Sequence, residues 1–93
     1  MLIHLEDFLE YIGGYRTNQG NATHPFPFGI PNVRLASYDQ NIVSTLGYQT
    51  FQGNALTDRQ HELALKLVTK YRKQLQHKGV IVPETLPLRL PLR

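Results

Sequence analysis

The sequence predicts a mainly α-helical fold: a small three-helix domain with a Pro/Gly-rich extended strap and an extended C-terminal arm. Apolar residues recur at helical spacing in three separate segments. Prolines between residues 25 and 31 and between 83 and 91 interrupt helices there. The chain has 93 residues and no cysteine. It is therefore expected to form one domain with a modest core and neither disulfides nor thiolate metal sites.

The first helix is indicated by four apolar residues at helical spacing: Leu2, Leu5, Leu9 and Ile12. Acidic side chains occupy the other predicted face, near the N-terminus where the helix dipole favours negative charge: Glu6, Asp7 and Glu10. Paired acids on a short helix are typical of an exposed surface. Gly13 and Gly14 are expected to end this helix.

The predicted strap covers residues 16–33, with three prolines around its centre. Prolines at alternate positions exclude a helix and a central strand. Phe26, Phe28 and Ile30 are expected either to dock as an apolar strap on this domain or to contact a protein partner.

A second helix is predicted from about Tyr38 to Gln52. Ser37 and Gln40 have the spacing of a capping box. Three apolar residues are expected to face inward: Ile42, Val43 and Leu46. Gly47 and the nearby threonines lower the helix propensity of this segment.

The third helix has matching start, body and end signals. Thr57 and Gln60 form a capping-box pair. One continuous apolar face follows: Leu63, Ala64, Leu67, Val68, Tyr71 and Leu75. Gly79 occupies the position of a C′ glycine, so Leu75 and Val80 are expected to touch in a Schellman motif.

The arm contains a direct repeat, Leu86-Pro87-Leu88-Arg89 followed by Leu90-Pro91-Leu92-Arg93. In an extended chain its four leucines share one face, which must be buried against other apolar groups. The run of residues 80–82 could also form a short strand, and with it a β-hairpin. We divide the chain into a helical domain, 1–82, and an extended connector, 83–93. We expect the whole sequence to be the N-terminal segment of a longer polypeptide.

Charge is distributed unevenly along the chain. Residues 1–56 hold two Lys/Arg against four Asp/Glu, a net charge of −2, whereas residues 57–93 hold eight against three, a net charge of +5. On a helical wheel, five basic groups of the third helix fall within about 60° of one another: Arg59, Lys66, Lys70, Lys73 and His77. This stripe, with Arg72 beside it, is typical of a phosphate-contacting helix, although a merely solvated lysine face has the same pattern.

No enzymatic chemistry is indicated. The four histidines lack metal-ligand spacing, neither serine lies in a nucleophile motif, and no phosphate-cradling glycine loop is present. We therefore expect no catalytic residue, metal or cofactor. Several aromatic side chains could stack on single-stranded bases, although packing in the core is their commoner use: Tyr11, Tyr15, Phe26, Phe28, Tyr38 and Tyr48.

Residues 54–93 resemble a segment found in a known protein family. The segments that carry the resemblance are Asn54-Ala55-Leu56-Thr57-Asp58-Arg59-Gln60, Leu63-Ala64-Leu65-Lys66-Leu67-Val68 and Lys70-Tyr71-Arg72-Lys73-Gln74-Leu75. They are similar to a segment near the N-terminus of bacteriophage-encoded superfamily-two DNA helicases, where a proline-containing connector and then an ATPase core follow. The helicase Walker lysine, acidic Mg²⁺-binding box and arginine finger have no counterpart here. The resemblance implies an N-terminal accessory region that cannot hydrolyse ATP itself.

We therefore expect a non-catalytic module that binds nucleic acid, in this context DNA, through phosphates and positions it for a phage helicase or replication protein. The basic residues listed above, with Arg72, are the expected contacts. The alternative is a protein-interaction module that docks on a partner or on the helicase core through its leucine arm, Leu86, Leu88, Leu90 and Leu92, and its strap, Phe26 and Phe28. No membrane partner is expected, and the expected location is the cytoplasm of an infected bacterial host.

Overall fold

The computed structural model describes residues 1–23 and 30–93, and the strap residues Phe26 and Phe28 lie outside this part of the chain. Four helices form in the described part: α1 (Leu5–Ile12), α2 (Ser37–Phe51), α3 (Asp58–Lys70) and α4 (Arg72–His77). The Cα radius of gyration is 11.6 Å, close to the roughly 12 Å of a single packed domain of this length. The predicted mainly helical fold class is confirmed.

Helix α1 lies at the centre of the domain. It packs against α2, α3 and the C-terminal arm, and all eight of its residues are buried. The prediction that its acidic side chains lie on an exposed face is therefore wrong. The helix begins at Leu5, because Asp7 accepts a hydrogen bond from the His4 backbone N–H at 2.9 Å and so caps the first turn.

Helix α2 begins one residue earlier than predicted. Ala36 is its N-cap, and Ser37, the first helical residue, makes no capping hydrogen bond, so the predicted capping box with Gln40 does not form. Val43 and Leu46 are buried as predicted. A Cβ at Gly47 would lie 3.2 Å from the Tyr15 ring. Glycine lowers the helix propensity at this position, but it leaves room for the buried Tyr15 ring to pack against α2.

Helix α3 begins as predicted, with the Thr57 hydroxyl accepting from the Gln60 N–H at 3.2 Å and the Gln60 side chain accepting from the Thr57 N–H at 3.0 Å. The predicted single helix is interrupted at Tyr71, and α4 follows. Hydrogen bonds from Tyr71 N to Leu67 O and from Leu75 N to Tyr71 O continue the helical pattern across this residue.

The end of α4 forms the predicted Schellman motif. Val80 N donates to Leu75 O at 2.9 Å, Gly79 N donates to Gln76 O at 3.0 Å, and Gly79 has a φ of 79°. The predicted apolar face is buried except for Leu63, which is half-buried: Ala64, Leu67, Val68, Tyr71 and Leu75. The described residues contain no β-strand, so the short strand predicted at 80–82 does not form.

The arm, residues 83–93, lies on the helices of this domain. Leu5 N donates to Pro87 O at 2.9 Å, and Arg93 N donates to Leu56 O at 2.8 Å. Three of its leucines are half-buried against the core: Leu86, Leu88 and Leu92. The chain bends at residues 89–90. Within the described residues, Leu90 is not among the leucines that pack against the core.

Candidate nucleic-acid interface

The capping box at Thr57 and the burial of Ala64, Leu67 and Val68 together set which side of α3 faces water. Five basic side chains lie on the outer side of α3 and α4 and are exposed: Arg59, Lys66, Lys70, Lys73 and His77. We call this set the basic stripe. Because hydrogen bonding continues across Tyr71, the α4 members remain in helical phase with those of α3.

Two open surface depressions lie along the basic stripe. Arg59 and Lys66 line the first, of about 460 Å³, together with Glu62. Lys73 and His77 line the second, of about 410 Å³. In the part of the chain that the structure describes, no ion pair joins Glu62 to Lys66. The charge of Lys66 is therefore not neutralised by the acid nearest to it along the helix.

Lys70, the middle member of the stripe, has protein partners. Its Nζ lies 2.7 Å from Asp39 Oδ2 and donates to Tyr38 Oη at 3.0 Å. Asp39 also accepts a hydrogen bond of 2.6 Å from the hydroxyl of buried Tyr71. The hydrogen bonds from Lys70 and Tyr71 lower the pKa of Asp39, and the hydrogen bond to Asp39 raises the pKa of Lys70. Lys70 is thus paired with a carboxylate of its own domain, whereas no ion pair among the described residues involves another member of the stripe.

Arg72 lies apart from the basic stripe. It is half-buried, and its Nη2 donates to Pro83 O at 3.4 Å. Its guanidinium therefore points toward the first residue of the arm. The structure does not bring Arg72 together with the other predicted nucleic-acid contacts.

Most of the exposed Lys, Arg, Asp and Glu side chains are positively charged. Four of the seven acidic side chains are buried: Glu6, Asp7, Glu10 and Asp39. Seven of the ten Lys/Arg are exposed, against only three acids, and every charged residue lies in the described part of the chain. In general, an excess of exposed positive charge favours association with polyanions.

The buried acids of α1 hold the arm in place. The Arg89 guanidinium donates to Asp7 and, at 2.6 Å, to Glu10. The backbone N–H groups of Arg89 and Leu90 donate to the Glu6 carboxylate at 2.8–3.0 Å. Charge-assisted hydrogen bonds of this kind are the strong ones, and here they join the end of the chain to its first helix.

Two further groups complete this buried cluster. Arg16 Nε donates to Glu10 at 2.6 Å, and the Thr50 hydroxyl of α2 donates to the same carboxylate at 2.7 Å. Burial alone would lower the pKa of Arg89, but its hydrogen bond to Glu10 and the nearby negative charges outweigh this effect and raise it. Burial would raise the pKa of Asp7, but hydrogen bonds from the His4 and Ile3 backbone lower it.

The sequence interpretation missed this cluster, which we call the Arg89 cluster. The repeat contained the signal, because Arg89 and Arg93 are the only charges in the otherwise apolar residues 86–93. An isolated arginine among leucines that must be covered needs a buried acid as its partner. The i,i+4 pair Glu6 and Glu10 on the first helix could have supplied it.

The predicted protein-interaction leucines Leu86, Leu88 and Leu92 contact this domain, as described above, and Phe26 and Phe28 lie outside the described residues. Among the aromatic side chains considered as stacking platforms, Tyr11 and Tyr15 are buried. Tyr48 is half-buried, with its ring 6.0 Å from that of Tyr15. Tyr38 differs from them, since 72% of its surface is exposed.

Within residues 1–23 and 30–93, no three His, Asp or Glu side chains are placed to hold a metal ion. None of the helices that these residues form is both long and apolar enough to cross a bilayer. No protein-family model, curated protein or solved structure compared with the chain matches it.

Proposed function

We propose that this chain is a non-catalytic accessory domain that binds nucleic acid through phosphates along the basic stripe. The observation that carries the proposal is the distribution of charge by burial: four of the seven acids are buried, whereas five basic side chains line one outer helical surface. The resemblance of residues 54–93 to phage helicases suggests DNA as the ligand and a replication protein as the context.

Arg59, Lys66 and Lys73 are the principal proposed contacts. They are exposed and line the two depressions of the stripe. Each phosphate that a lysine or arginine neutralises releases a condensed counterion, which drives binding entropically. His77 adds positive charge only when protonated. Contacts of this kind position a strand without reading its sequence, so affinity is expected to vary little with base composition.

The alternative is a protein-interaction module that uses the leucine arm. It is less well supported, because Leu86, Leu88 and Leu92 already contact the core of this domain. An arm held by the Arg89 cluster would have to break buried charge-assisted hydrogen bonds before it could dock elsewhere.

The proposal is tested by removing charge from the stripe. The variant Arg59→Gln/Lys66→Gln/Lys73→Gln should weaken binding of a fluorescent single-stranded oligonucleotide on the order of tenfold or more in low salt, measured by anisotropy. Lys70 is left intact because it stabilises Asp39.

A matched control removes three other exposed charges, in Arg34→Gln/Lys78→Gln/Arg93→Gln. It loses the same net charge but leaves the stripe unchanged, and its affinity should stay close to that of the wild type. Circular dichroism verifies that both variants are folded. Equal losses in the two variants would mean that net charge alone, and not the stripe, attracts the oligonucleotide.

A further inference from the structure

Tyr38 is an exposed aromatic side chain at the start of α2. It keeps 72% of its surface in water, whereas the other tyrosines and phenylalanines of the described residues are buried or half-buried. A single exposed apolar side chain is common on protein surfaces. What distinguishes Tyr38 is the set of contacts that fixes its ring.

A chain of polar contacts holds this ring in position. Lys70 Nζ lies 4.3 Å from the ring centroid and 3.0 Å from the hydroxyl oxygen. Lys70 is held by Asp39 at 2.7 Å, and Asp39 by the buried Tyr71 hydroxyl at 2.6 Å. Tyr71 Oη in turn accepts from the Ala36 backbone N–H at 2.9 Å. A ring that is already fixed loses little conformational entropy when a ligand stacks on it.

The same contacts place the ring beside the basic stripe. Lys70 follows Lys66 by four residues and precedes Lys73 by three, so it lies between them on the helical surface. The Tyr38 ring is therefore next to the proposed phosphate contacts but belongs to a different helix.

An aromatic ring alongside a row of cations matches single-stranded nucleic acid. A single strand presents phosphates together with unstacked bases, each of which has a face free for stacking. In a duplex the bases are stacked on one another, so their faces are not free to stack on a protein side chain. Phosphate contacts alone would not distinguish the two forms, but a stacking platform beside them would.

We infer that the basic stripe binds single-stranded nucleic acid, with one base stacked on Tyr38 while flanking phosphates contact Lys66 and Lys73. This inference rests on the proposed function and names its ligand class. It assigns Lys70 a positioning role, since Lys70 holds the ring and does not neutralise a phosphate.

The first test compares Tyr38→Ala with Tyr38→Phe on a short oligothymidylate and on a duplex of the same length. Loss of the ring should weaken single-strand binding about tenfold, as expected for one stacked base, and leave duplex binding unchanged. Tyr38→Phe keeps the ring and its contact with Lys70 Nζ but loses the hydrogen bond to the hydroxyl, so its affinity for the single strand should lie much closer to the wild type than to Tyr38→Ala. A Tyr38→Ala variant with wild-type affinity for the single strand would overturn the inference.

A second test uses fluorescence. The chain has no tryptophan, so Tyr38→Trp introduces a single indole at the proposed platform. Stacking should quench its emission when the oligothymidylate is added, and the duplex should cause little quenching. Equal quenching by both nucleic acids, or none by the single strand, would contradict stacking at this position.

The proposed function and the single-strand inference are refuted by different results. Normal binding by the Arg59/Lys66/Lys73 variant would refute the proposed function, whatever Tyr38 does. Weakened binding by that variant together with normal binding by Tyr38→Ala would leave the proposed function standing and refute only the single-strand inference. Failure of the wild-type chain to bind either nucleic acid would refute both.

Discussion

Replacing Arg89 with methionine removes a guanidinium that joins three parts of the chain. Its two terminal nitrogens contact Asp7 and Glu10 of α1 and the carbonyl oxygen of Thr50 in α2. Methionine preserves much of the side-chain length but carries no charge. The substitution therefore leaves two buried carboxylates without the cation that the arm supplies.

The expected loss follows from the burial of these groups. Removing one partner of a buried ion pair costs about 3–5 kcal/mol. Arg16 remains bound to Glu10 at 2.6 Å, and 26% of the Arg89 side chain is exposed. Both facts favour the lower end, about 3 kcal/mol. A domain of this size is stable by roughly 5–14 kcal/mol in total, so the loss is a substantial fraction.

The measurement is urea denaturation followed by far-ultraviolet circular dichroism. With an m-value of about 1.5 kcal/mol/M, a loss of about 3 kcal/mol lowers the midpoint by about 2 M. Arg93→Met is the matched control, because Arg93 ends the second copy of the same four-residue repeat and is exposed. Its free energy of unfolding should change by no more than about 0.5 kcal/mol.

Midpoints of the two variants that are equal and close to the wild-type midpoint would refute the reasoning. That result would mean that Asp7 and Glu10 do not depend on Arg89 and that the arm is not held by a buried ion cluster. A large loss of stability in Arg93→Met alone would instead indicate that Arg93, in the second copy of the repeat, is the arginine that contacts α1.

Further predictions concern the core, the arm and the response to acid. Leu67→Ala should cost about 2–5 kcal/mol in free energy of unfolding and half-buried Leu65→Ala clearly less, measured in the same denaturation assay; equal losses would contradict the helical phase. Truncation after Glu84 should lower the melting temperature sharply, because the arm covers α1, and an unchanged value would contradict this. The pKa of Asp39 is lowered on folding, so its contribution to stability is fully present above the unfolded pKa of about 3.9 and is lost as pH falls through the folded pKa. Asp39→Asn should flatten the pH dependence of unfolding in this acid range, and an unaltered profile would contradict the linkage.

Local signals account for what the sequence predicted well. The start of α3, its buried face and the end of α4 each depend on residues within a few positions of one another. The capping box at Thr57 and the Schellman motif at Gly79 are motifs of this kind, and both are present. The misplaced start of α2 shows the limit of such signals, because Ser37 has the spacing of a cap without the geometry.

The features that sequence reasoning missed depend on distant residues. Arg89 is 79 residues from Glu10 along the chain, and Lys70 is 31 residues from Asp39. No periodicity shows that an acidic helix will be covered by an arm from the other end of the chain. Likewise, the helical wheel predicted that Lys70 lies on the same face as the other basic residues of α3. Only the packing of α2 against α3 shows that Asp39 neutralises it.

A salt titration of oligothymidylate binding tests the central claim most directly. If Arg59, Lys66 and Lys73 each neutralise a phosphate, the logarithm of the association constant should fall with the logarithm of salt concentration with a slope of about −2 or steeper, at about −0.7 per contact on a single strand. The Arg59→Gln/Lys66→Gln/Lys73→Gln variant should lose most of that slope, and the Arg34/Lys78/Arg93 control should keep it. A wild-type slope near zero, or a stripe variant with the wild-type slope, would contradict the proposal that this surface binds nucleic acid.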